Sequence, residues 1–106
     1  MTRRLLTDFE IMILLAILRV GDEAYGVPIA REIETTTGRV VQLPAIYAAL
    51  ERLQGQQLIE SRLGEATAQR GGRAKKYFSL TPAGIGSVRD TRKALTALWA
   101  RLPQLA

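Results

Sequence analysis

The segment from Arg70 to Thr81 constrains the fold of this chain most strongly. It runs Arg-Gly-Gly-Arg-Ala-Lys-Lys-Tyr-Phe-Ser-Leu-Thr, so a cationic loop leads directly into a short strand and a helix cap. Between Arg62 and Lys76 there are five positive residues and one acid, Glu65, which places most of the formal net charge of +5 near this loop. A positive field concentrated in this way favours a polyanionic partner that is bound through its phosphates.

The composition indicates a single small globular domain. The chain has 106 residues, of which 47% are hydrophobic and 24% are charged. It contains no Cys and no His, which excludes Cys and His nucleophiles, sites with N or S metal ligands, and a disulfide framework. The carboxylate pairs Asp8 with Glu10 and Glu32 with Glu34 fall on different helix faces. An enzyme is therefore disfavoured, and we expect neither a cofactor nor a metal.

Neither a membrane span nor a secretory signal is predicted. The longest apolar run, Ile11 to Leu18, has eight residues, whereas a helix needs about 20 to cross a bilayer. The N-terminal segment has no small-residue cleavage site before Asp8. The lack of Cys fits a reducing compartment, so we expect a cytoplasmic protein.

The first predicted helix is apolar on nearly all sides. Thr7 and Glu10 form a capping box, and the helix should run to about Val20, where Gly21 and Asp22 end it. A helix of this kind must be covered on more than one side. It therefore either lies at the centre of the domain or meets a second subunit, and both interpretations stay open.

A second helix is predicted to begin near Pro28, after a turn at Tyr25 and Gly26. Thr36 to Gly38 should end it. Its inner face is defined by four residues at helical spacing: Val27, Ile29, Ala30 and Ile33.

The third predicted helix has two contrasting faces. It opens at Leu43-Pro44, where the missing proline N–H costs nothing. An apolar stripe should face inward: Ile46, Ala49, Leu50 and Leu53. The outer face carries Pro44, Ala45, Ala48 and Arg52, with Tyr47 and Glu51 on its flank. Small outer residues would let this helix enter a DNA major groove about 12 Å wide, although such residues are also common on exposed helix faces.

Two short strands are predicted after the third helix, at Leu58–Leu63 and Lys76–Leu80, joined by a long polar loop. On the second strand, Phe78 and Leu80 should point to one side and Tyr77 and Ser79 to the other. Three helices followed by a basic hairpin indicate a winged helix-turn-helix, a mainly α fold with a minor β part. In this fold the third helix enters the major groove, and the wing touches the backbone or the minor groove.

The last predicted helix affects the oligomeric state. Thr81 caps it, Pro82 takes the first helical position, and it should run toward Leu102 before Pro103 ends it. A coiled-coil-like seam follows one face: Ile85, Val88, Arg92, Leu95, Trp99 and Leu102. The seam could pack on its own domain, but a helix that follows the wing is poorly placed to cover the first helix of the same chain. We therefore favour a homodimer whose core is shared by the first and last helices.

We accordingly expect residues 1–80 to form a DNA-binding domain and residues 81–106 to form a dimerisation helix. Arg92, in the seam, should snorkel or pair with an acid, because an unpaired buried charge is costly. The candidate contacts to double-stranded DNA are Gln42, Pro44, Ala45, Tyr47, Ala48 and Arg52 on the third helix and Arg70, Arg73, Lys75 and Lys76 in the wing.

The chain resembles the PadR family of bacterial transcriptional regulators, in the short branch with a single C-terminal helix. The resemblance covers Leu6 to Leu102. Its motifs, in order, are Ala24-Tyr25-Gly26, Ile33-Glu34, Thr37-Gly38-Arg39, Ile46-Tyr47-Ala48-Ala49-Leu50-Glu51-Arg52-Leu53, Arg70-Gly71-Gly72-Arg73, Lys76-Tyr77-Phe78 and Leu80-Thr81-Pro82-Ala83-Gly84.

The resemblance implies a dimeric repressor of a pseudo-palindromic operator, with the recognition helix at Pro44–Gln54 and the wing at Gly64–Lys75. It also implies that Tyr47 contacts a phosphate or braces that helix. Some relatives bind flat hydrophobic or aromatic ligands on a Trp between the subunits, which would make Trp99 a candidate inducer site, although a seam Trp is also ordinary dimer core. Relatives usually have Gly where this chain has Gln57.

A second class of function stays open. A winged helix can lose DNA binding and become a protein-interaction module that recruits partners through its last helix. Salt separates the two classes, because each phosphate contact contributes about 0.9 to the log–log slope of DNA affinity against salt concentration. An apolar helix interface should respond weakly.

Overall fold

The computed structural model describes residues 5–64 and 75–105 of the chain. The elements, in chain order, are α1 (Asp8–Val20), α2 (Gly26–Thr37), α3 (Leu43–Gly55), β1 (Ile59–Leu63), β2 (Lys76–Leu80) and α4 (Pro82–Trp99). A single 3-10 turn, Gly21–Glu23, lies between α1 and α2. The predicted wing contacts Arg70 and Arg73 lie outside the described residues.

Helix α1 lies at the centre of the core and contacts α2, α3, α4 and β2. Its predicted capping box is confirmed: the Glu10 N–H donates to Thr7 Oγ1 at 3.2 Å, and the Thr7 N–H donates to Glu10 Oε1 at 2.8 Å. Four of its apolar residues are buried: Ile13, Leu14, Ala16 and Ile17. Leu15 and Leu18 are 42% and 48% exposed, so the described part of the chain leaves one side of α1 uncovered.

Helix α2 begins at Gly26, two residues before the predicted start. Pro28 is its third residue rather than its first. The first four N–H groups of a helix have no partner within it, so a proline is tolerated there without loss of a hydrogen bond. Ile29 and Ile33 of the predicted inner face are fully buried, and Val27 and Ala30 are half-buried.

Helix α3 begins at Leu43 with Pro44 in its first turn, as predicted. The inward stripe is also confirmed: Ile46, Ala49, Leu50 and Leu53 are at most 1% exposed. Their spacing of three or four residues places them on one face, where they join the core of α1 and α2.

A Schellman motif ends α3. Gln57 has a φ of 62°, in the left-handed region that favours glycine. Its N–H donates to the Gln54 carbonyl at 2.9 Å, and the Leu58 N–H donates to the Leu53 carbonyl at 3.0 Å. Because Leu58 closes the helix in this way, β1 begins at Ile59, one residue later than predicted.

The two strands pair antiparallel from Ile59 opposite Leu80 to Leu63 opposite Lys76. Phe78 is buried and Ser79 is exposed on the other side, which agrees with the predicted alternation. The Phe78 N–H also donates to the Ala24 carbonyl at 2.8 Å. This bond attaches the hairpin to the turn that precedes α2.

Helix α4 starts as predicted, with Thr81 as its cap and Pro82 as its first residue, but it ends at Trp99 rather than Leu102. Ala100 is extended, with a φ of −65° and a ψ of 143°. Pro103 explains the difference, because a proline disfavours helical geometry at the residue before it and would clash with the carbonyl four residues back.

The first half of α4 packs on α1 of the same chain. Its buried residues are Gly84, Ser87 and Thr91, and the Leu6 N–H donates to Thr91 Oγ1 at 3.1 Å. The expectation that α4 is poorly placed to cover α1 is therefore wrong for this half. The predicted seam lies beside the buried face: Ile85 and Val88 are half-buried, whereas Arg92, Leu95, Trp99 and Leu102 are exposed.

The start of α4 also abuts the backbone of Leu58, in the turn between α3 and β1. A Cβ atom at Gly84 would collide with the carbonyl oxygen of Leu58. The Thr81 N–H donates to this same carbonyl at 3.0 Å. Only glycine therefore permits this close contact between the first turn of α4 and the backbone of Leu58.

None of the helices within residues 5–64 and 75–105 is both long enough and apolar enough to cross a membrane.

Candidate nucleic-acid interface

The outer face of α3 presents every DNA contact predicted on this helix to solvent. Pro44, Ala45, Ala48 and Arg52 are exposed, and Tyr47 is 49% exposed. Gln42 is exposed at the N-cap position, and its side chain makes no capping hydrogen bond. Ala45, Ala48 and Arg52 follow one another at intervals of three and four residues, so they share one face. This face of α3 projects little from the helix backbone, because the side chains of Ala45 and Ala48 are single methyl groups.

Tyr47 is braced by the first turn of α2. A Cβ atom at Gly26 would lie 2.5 Å from the Tyr47 ring and hydroxyl, far inside van der Waals contact. Gly26 is therefore a neighbour of a candidate contact residue that the sequence did not single out, because there it was treated only as part of a turn. The Ala24-Tyr25-Gly26 motif was the available signal.

The two described wing lysines have different surroundings. Lys76 is exposed, and its Nζ lies 5.9 Å from the centre of the Phe78 ring. Lys75 is half-buried; its Nζ donates to Tyr25 Oη at 2.8 Å and lies 4.0 Å from the centre of the same ring. Lys76 is thus free to reach a ligand, whereas Lys75 is held in place.

A second contact between a cation and an aromatic ring, formed by Arg62 and Tyr77, lies across the two strands of the hairpin. They are opposite each other in the strand register, and Arg62 Cζ lies 4.7 Å from the centre of the Tyr77 ring. The Tyr77 ring meets the Tyr25 ring edge to face, with centroids 5.8 Å apart. We call Arg62, Tyr77, Tyr25 and Lys75 the wing-base row. Arg62, Tyr25 and Tyr77 were not among the predicted contacts, and only the register of the hairpin could have paired Arg62 with Tyr77.

Arg19 and Arg39, near α1 and α2, differ from the cations of the wing-base row because each of them pairs with an acid. Arg19 Nε donates to Glu32 Oε2 at 3.0 Å, and the Thr36 hydroxyl donates to the same oxygen at 2.6 Å. The Thr36 bond first, and then the Arg19 bond, lower the pKa of Glu32 below its ordinary value of 4.5. Asp8 accepts a bond from Arg39 at 3.3 Å.

An apolar groove of about 520 Å³ separates the second half of α4 from α1. Six residues account for most of its lining: Ile11, Leu15, Val88, Arg92, Leu95 and Trp99. Trp99 is 63% exposed and Leu95 is 46% exposed. The predicted seam residues Val88, Arg92, Leu95 and Trp99 therefore come together in one groove.

The described ranges contain no group of three or more His, Cys, Asp or Glu residues that could hold a metal ion. The exposed face of α3 and the hairpin present cations, hydroxyls and small apolar groups, together with the carboxylates of Glu51 and Glu60.

Three helices, a two-stranded hairpin and an exposed third helix define a winged helix-turn-helix protein. The model of the transcriptional regulator PadR-like family matches residues 14–90. The chain belongs to this family of transcriptional regulators. None of the curated proteins matches the sequence.

Solved structures with the same fold include three regulators. A transcriptional regulator from Clostridium thermocellum is 26% identical, with 84% of this chain and 83% of that chain aligned and a TM-score of 0.71. A PadR-like transcriptional regulator from Bacillus cereus is 24% identical, with coverages of 92% and 89% and a TM-score of 0.72. A PadR family transcription regulator from Clostridium difficile is 23% identical, with coverages of 92% and 97% and a TM-score of 0.70. The latter two are similar in fold.

Proposed function

We propose that this protein is a homodimeric repressor that binds a pseudo-palindromic operator in double-stranded DNA. Residues 1–80 bind the DNA, and residues 81–106 dimerise. The observation that carries the proposal is the exposed outer face of α3, where Ala45 and Ala48 allow close approach to a major groove. Membership of a family of transcriptional regulators supports it.

In this proposal α3 reads bases and the wing binds the backbone. Gln42, Pro44, Ala45, Tyr47 and Ala48 face the groove. Cations supply affinity for phosphates: Arg52, Arg70, Arg73, Lys75 and Lys76. Replacing Arg70 and Arg73 together should weaken binding to all DNA sequences and flatten the salt dependence. Unchanged affinity at physiological salt would remove the wing from the mechanism.

Dimerisation would cover the apolar surface at the second half of α4. Leu95, Trp99 and Leu102 are 46%, 63% and 42% exposed, and Leu15 of α1 lines the same groove as Leu95 and Trp99. A second copy related by a two-fold axis would bury these side chains and place two α3 helices side by side. Two recognition helices should then be about one helical turn, roughly 34 Å, apart.

A flat hydrophobic or aromatic inducer is the proposed ligand of the groove at Trp99. The indole would provide a stacking platform, and the groove volume of about 520 Å³ falls in the range of small-molecule sites. Because Trp99 is the single Trp of the chain, its fluorescence reports on the groove directly. A compound that displaces DNA without changing this fluorescence would count against the site.

Selection of bound fragments from the parent genome at two salt concentrations tests the proposed function. We expect one enriched palindromic sequence, half-sites one turn apart and a steep fall in affinity with salt. If no fragment is enriched, and association with other proteins resists salt, the chain is an interaction module instead. A regulator of this kind must reach the chromosome, so we propose a cytoplasmic location.

A further inference from the structure

The wing-base row holds two cations on aromatic rings. Its order is cation, ring, ring, cation, from Arg62 on β1 through Tyr77 and Tyr25 to Lys75. Arg62 Nη2 also donates to the backbone carbonyl of Asp22 at 3.1 Å, and the Gly64 N–H donates to the Lys75 carbonyl at 2.8 Å. Both arms of the hairpin and the turn before α2 are thereby joined at one place.

The partners of these two cations leave their charge available. Within the part of the chain that the structure describes, Arg62 and Lys75 contact rings, a hydroxyl and a carbonyl, but no carboxylate. A ring face attracts a cation through its quadrupole without cancelling the positive charge. Arg19 and Arg39, by contrast, each pair with an acid. Arg62 and Lys75 are therefore not neutralised by a direct ion pair, unlike Arg19 and Arg39.

Both cations also keep unused hydrogen-bond donors. A guanidinium has five N–H donors and an ammonium has three, and the described contacts use one from each. A stacked guanidinium can still present its fork to a phosphate, which makes arginine well suited to such a site.

The row lies next to the outer face of α3. Tyr25, which holds Lys75, is the N-cap of α2, and the following residue, Gly26, contacts Tyr47. Two consecutive residues thus connect the row to a side chain of the recognition helix. A duplex bound along α3 would bring its backbone to this edge.

We propose that Arg62 and Lys75 form a phosphate-binding pair for duplex DNA at the base of the wing, and that Tyr77 and Tyr25 are the positioning residues for them. The proposal rests on the proposed function. It adds Arg62 to the contacts and assigns Lys75 a fixed position rather than a mobile one. The phosphates belong to the DNA backbone, so the contact adds affinity for every sequence.

The salt dependence of binding to operator and random duplexes tests the proposal. Arg62→Gln and Lys75→Gln should each lower the magnitude of the log–log slope by about 0.9, the value for one phosphate contact. Over one decade of salt concentration this corresponds to about an eightfold change in affinity per cation. Operator and random DNA should lose affinity equally.

Two further variants complete the experiment. Arg62→Lys keeps the charge but loses the stacked fork, so the wild-type slope should remain while affinity falls. Lys93→Gln removes one charge from an exposed position on α4 and should leave the slope unchanged. The unfolding midpoint of each variant shows that the fold is intact.

The outcomes separate the two proposals. A wild-type slope in both Arg62→Gln and Lys75→Gln overturns the phosphate pair, as does an equal reduction by Lys93→Gln. If the wild-type protein binds no duplex in a salt-dependent way, the proposed function itself is wrong. A reduced slope in the two row variants alone supports the pair.

Discussion

Thr81 donates its hydroxyl hydrogen to the backbone oxygen of Gln57 at 2.7 Å and so joins the start of α4 to the end of α3. The same hydroxyl oxygen accepts the N–H of Gly84 at 3.1 Å, as an N-cap does. One side chain therefore hydrogen-bonds both a free N–H in the first turn of α4 and the carbonyl of Gln57, the residue with the left-handed backbone after α3.

Replacing Thr81 by valine should destabilise the protein by about 1–2 kcal/mol, because the cap is lost and the Gln57 carbonyl loses its donor. Thr81→Ser keeps the hydroxyl and should stay within roughly 0.5 kcal/mol of wild type. Urea unfolding at neutral pH measures both. Equal stability of the valine and serine variants would show that the hydroxyl does not matter.

Gln57→Gly should stabilise the protein by up to about 1 kcal/mol. The left-handed conformation costs a non-glycine residue roughly 1–2 kcal/mol, and part of this gain is offset by the greater freedom of glycine in the unfolded chain. Gln56, with a φ of −85°, provides the matched control, since glycine there should destabilise by about 0.5–1 kcal/mol. The sign of the change, read from the unfolding free energy, should differ between the two neighbours.

Gly26→Ala should destabilise the protein by about 1–3 kcal/mol, because the new methyl group overlaps the Tyr47 ring. In a Tyr47→Ala background the same substitution should cost much less. The double-mutant cycle, measured by denaturant unfolding, should give a coupling free energy of about 0.5–3 kcal/mol. A coupling energy of zero would mean that the ring moves aside freely.

Ala48→Phe should abolish specific DNA binding while leaving the unfolding midpoint near that of wild type, because Ala48 is exposed on the side of α3 that we propose to face the groove. Ala97→Phe adds the same bulk at an exposed position of α4 and should leave DNA affinity unchanged. Electrophoretic mobility or fluorescence anisotropy on the selected operator measures both. Normal operator binding by Ala48→Phe would exclude α3 as the reading helix.

The lowered pKa of Glu32 makes part of the stability depend on pH. Its folded pKa lies below the ordinary 4.5, so the ionised carboxylate stabilises the fold above that value, and the contribution is lost as pH falls through the folded pKa. Glu32→Gln should therefore be less stable than wild type at pH 7, and the difference should vanish in acid. Thr36→Val should reproduce most of this effect, since the Thr36 hydrogen bond is its first cause. Thermal unfolding of the three proteins, measured from pH 7 down through the folded pKa of Glu32, checks both expectations.

The sequence predicted correctly those parts of the fold that are determined by residues close together in the chain. The Thr7 and Glu10 spacing located the start of α1, and the three- and four-residue spacing from Ile46 to Leu53 gave both faces of α3. These features depend on residues within one or two turns of each other. Local chemistry was thus enough to identify the third helix and its exposed side.

The packing of α4 was not predictable in the same way. The hydrophobic pattern selected Ile85 and Val88, whereas the buried face is offset by one residue and consists of Gly84, Ser87 and Thr91. Small and hydroxyl side chains carry no hydrophobic signal. They are buried because they permit close approach and because Thr91 accepts a hydrogen bond from the Leu6 N–H.

The wing-base row shows the same limit at the candidate site. Lys75 and Tyr25 are 50 positions apart in the sequence, and their contact exists because β2 bonds to the turn before α2. Composition placed the cations in one region of the chain. It could not pair each cation with a particular ring.

The contact between Gly84 and the Leu58 carbonyl ties the start of α4 to the residue whose N–H closes the end of α3. From Gly84 to Trp99 the helix rises by about 22 Å, so a 10° tilt about Gly84 displaces its far end by about 4 Å. In the proposed dimer, a small change in the angle between the two α4 helices at Trp99 would therefore reach Gly84 and Leu58 as a rotation. The α3 helices that we propose to read the DNA would turn with them, because the Leu58 N–H donates to the Leu53 carbonyl of α3.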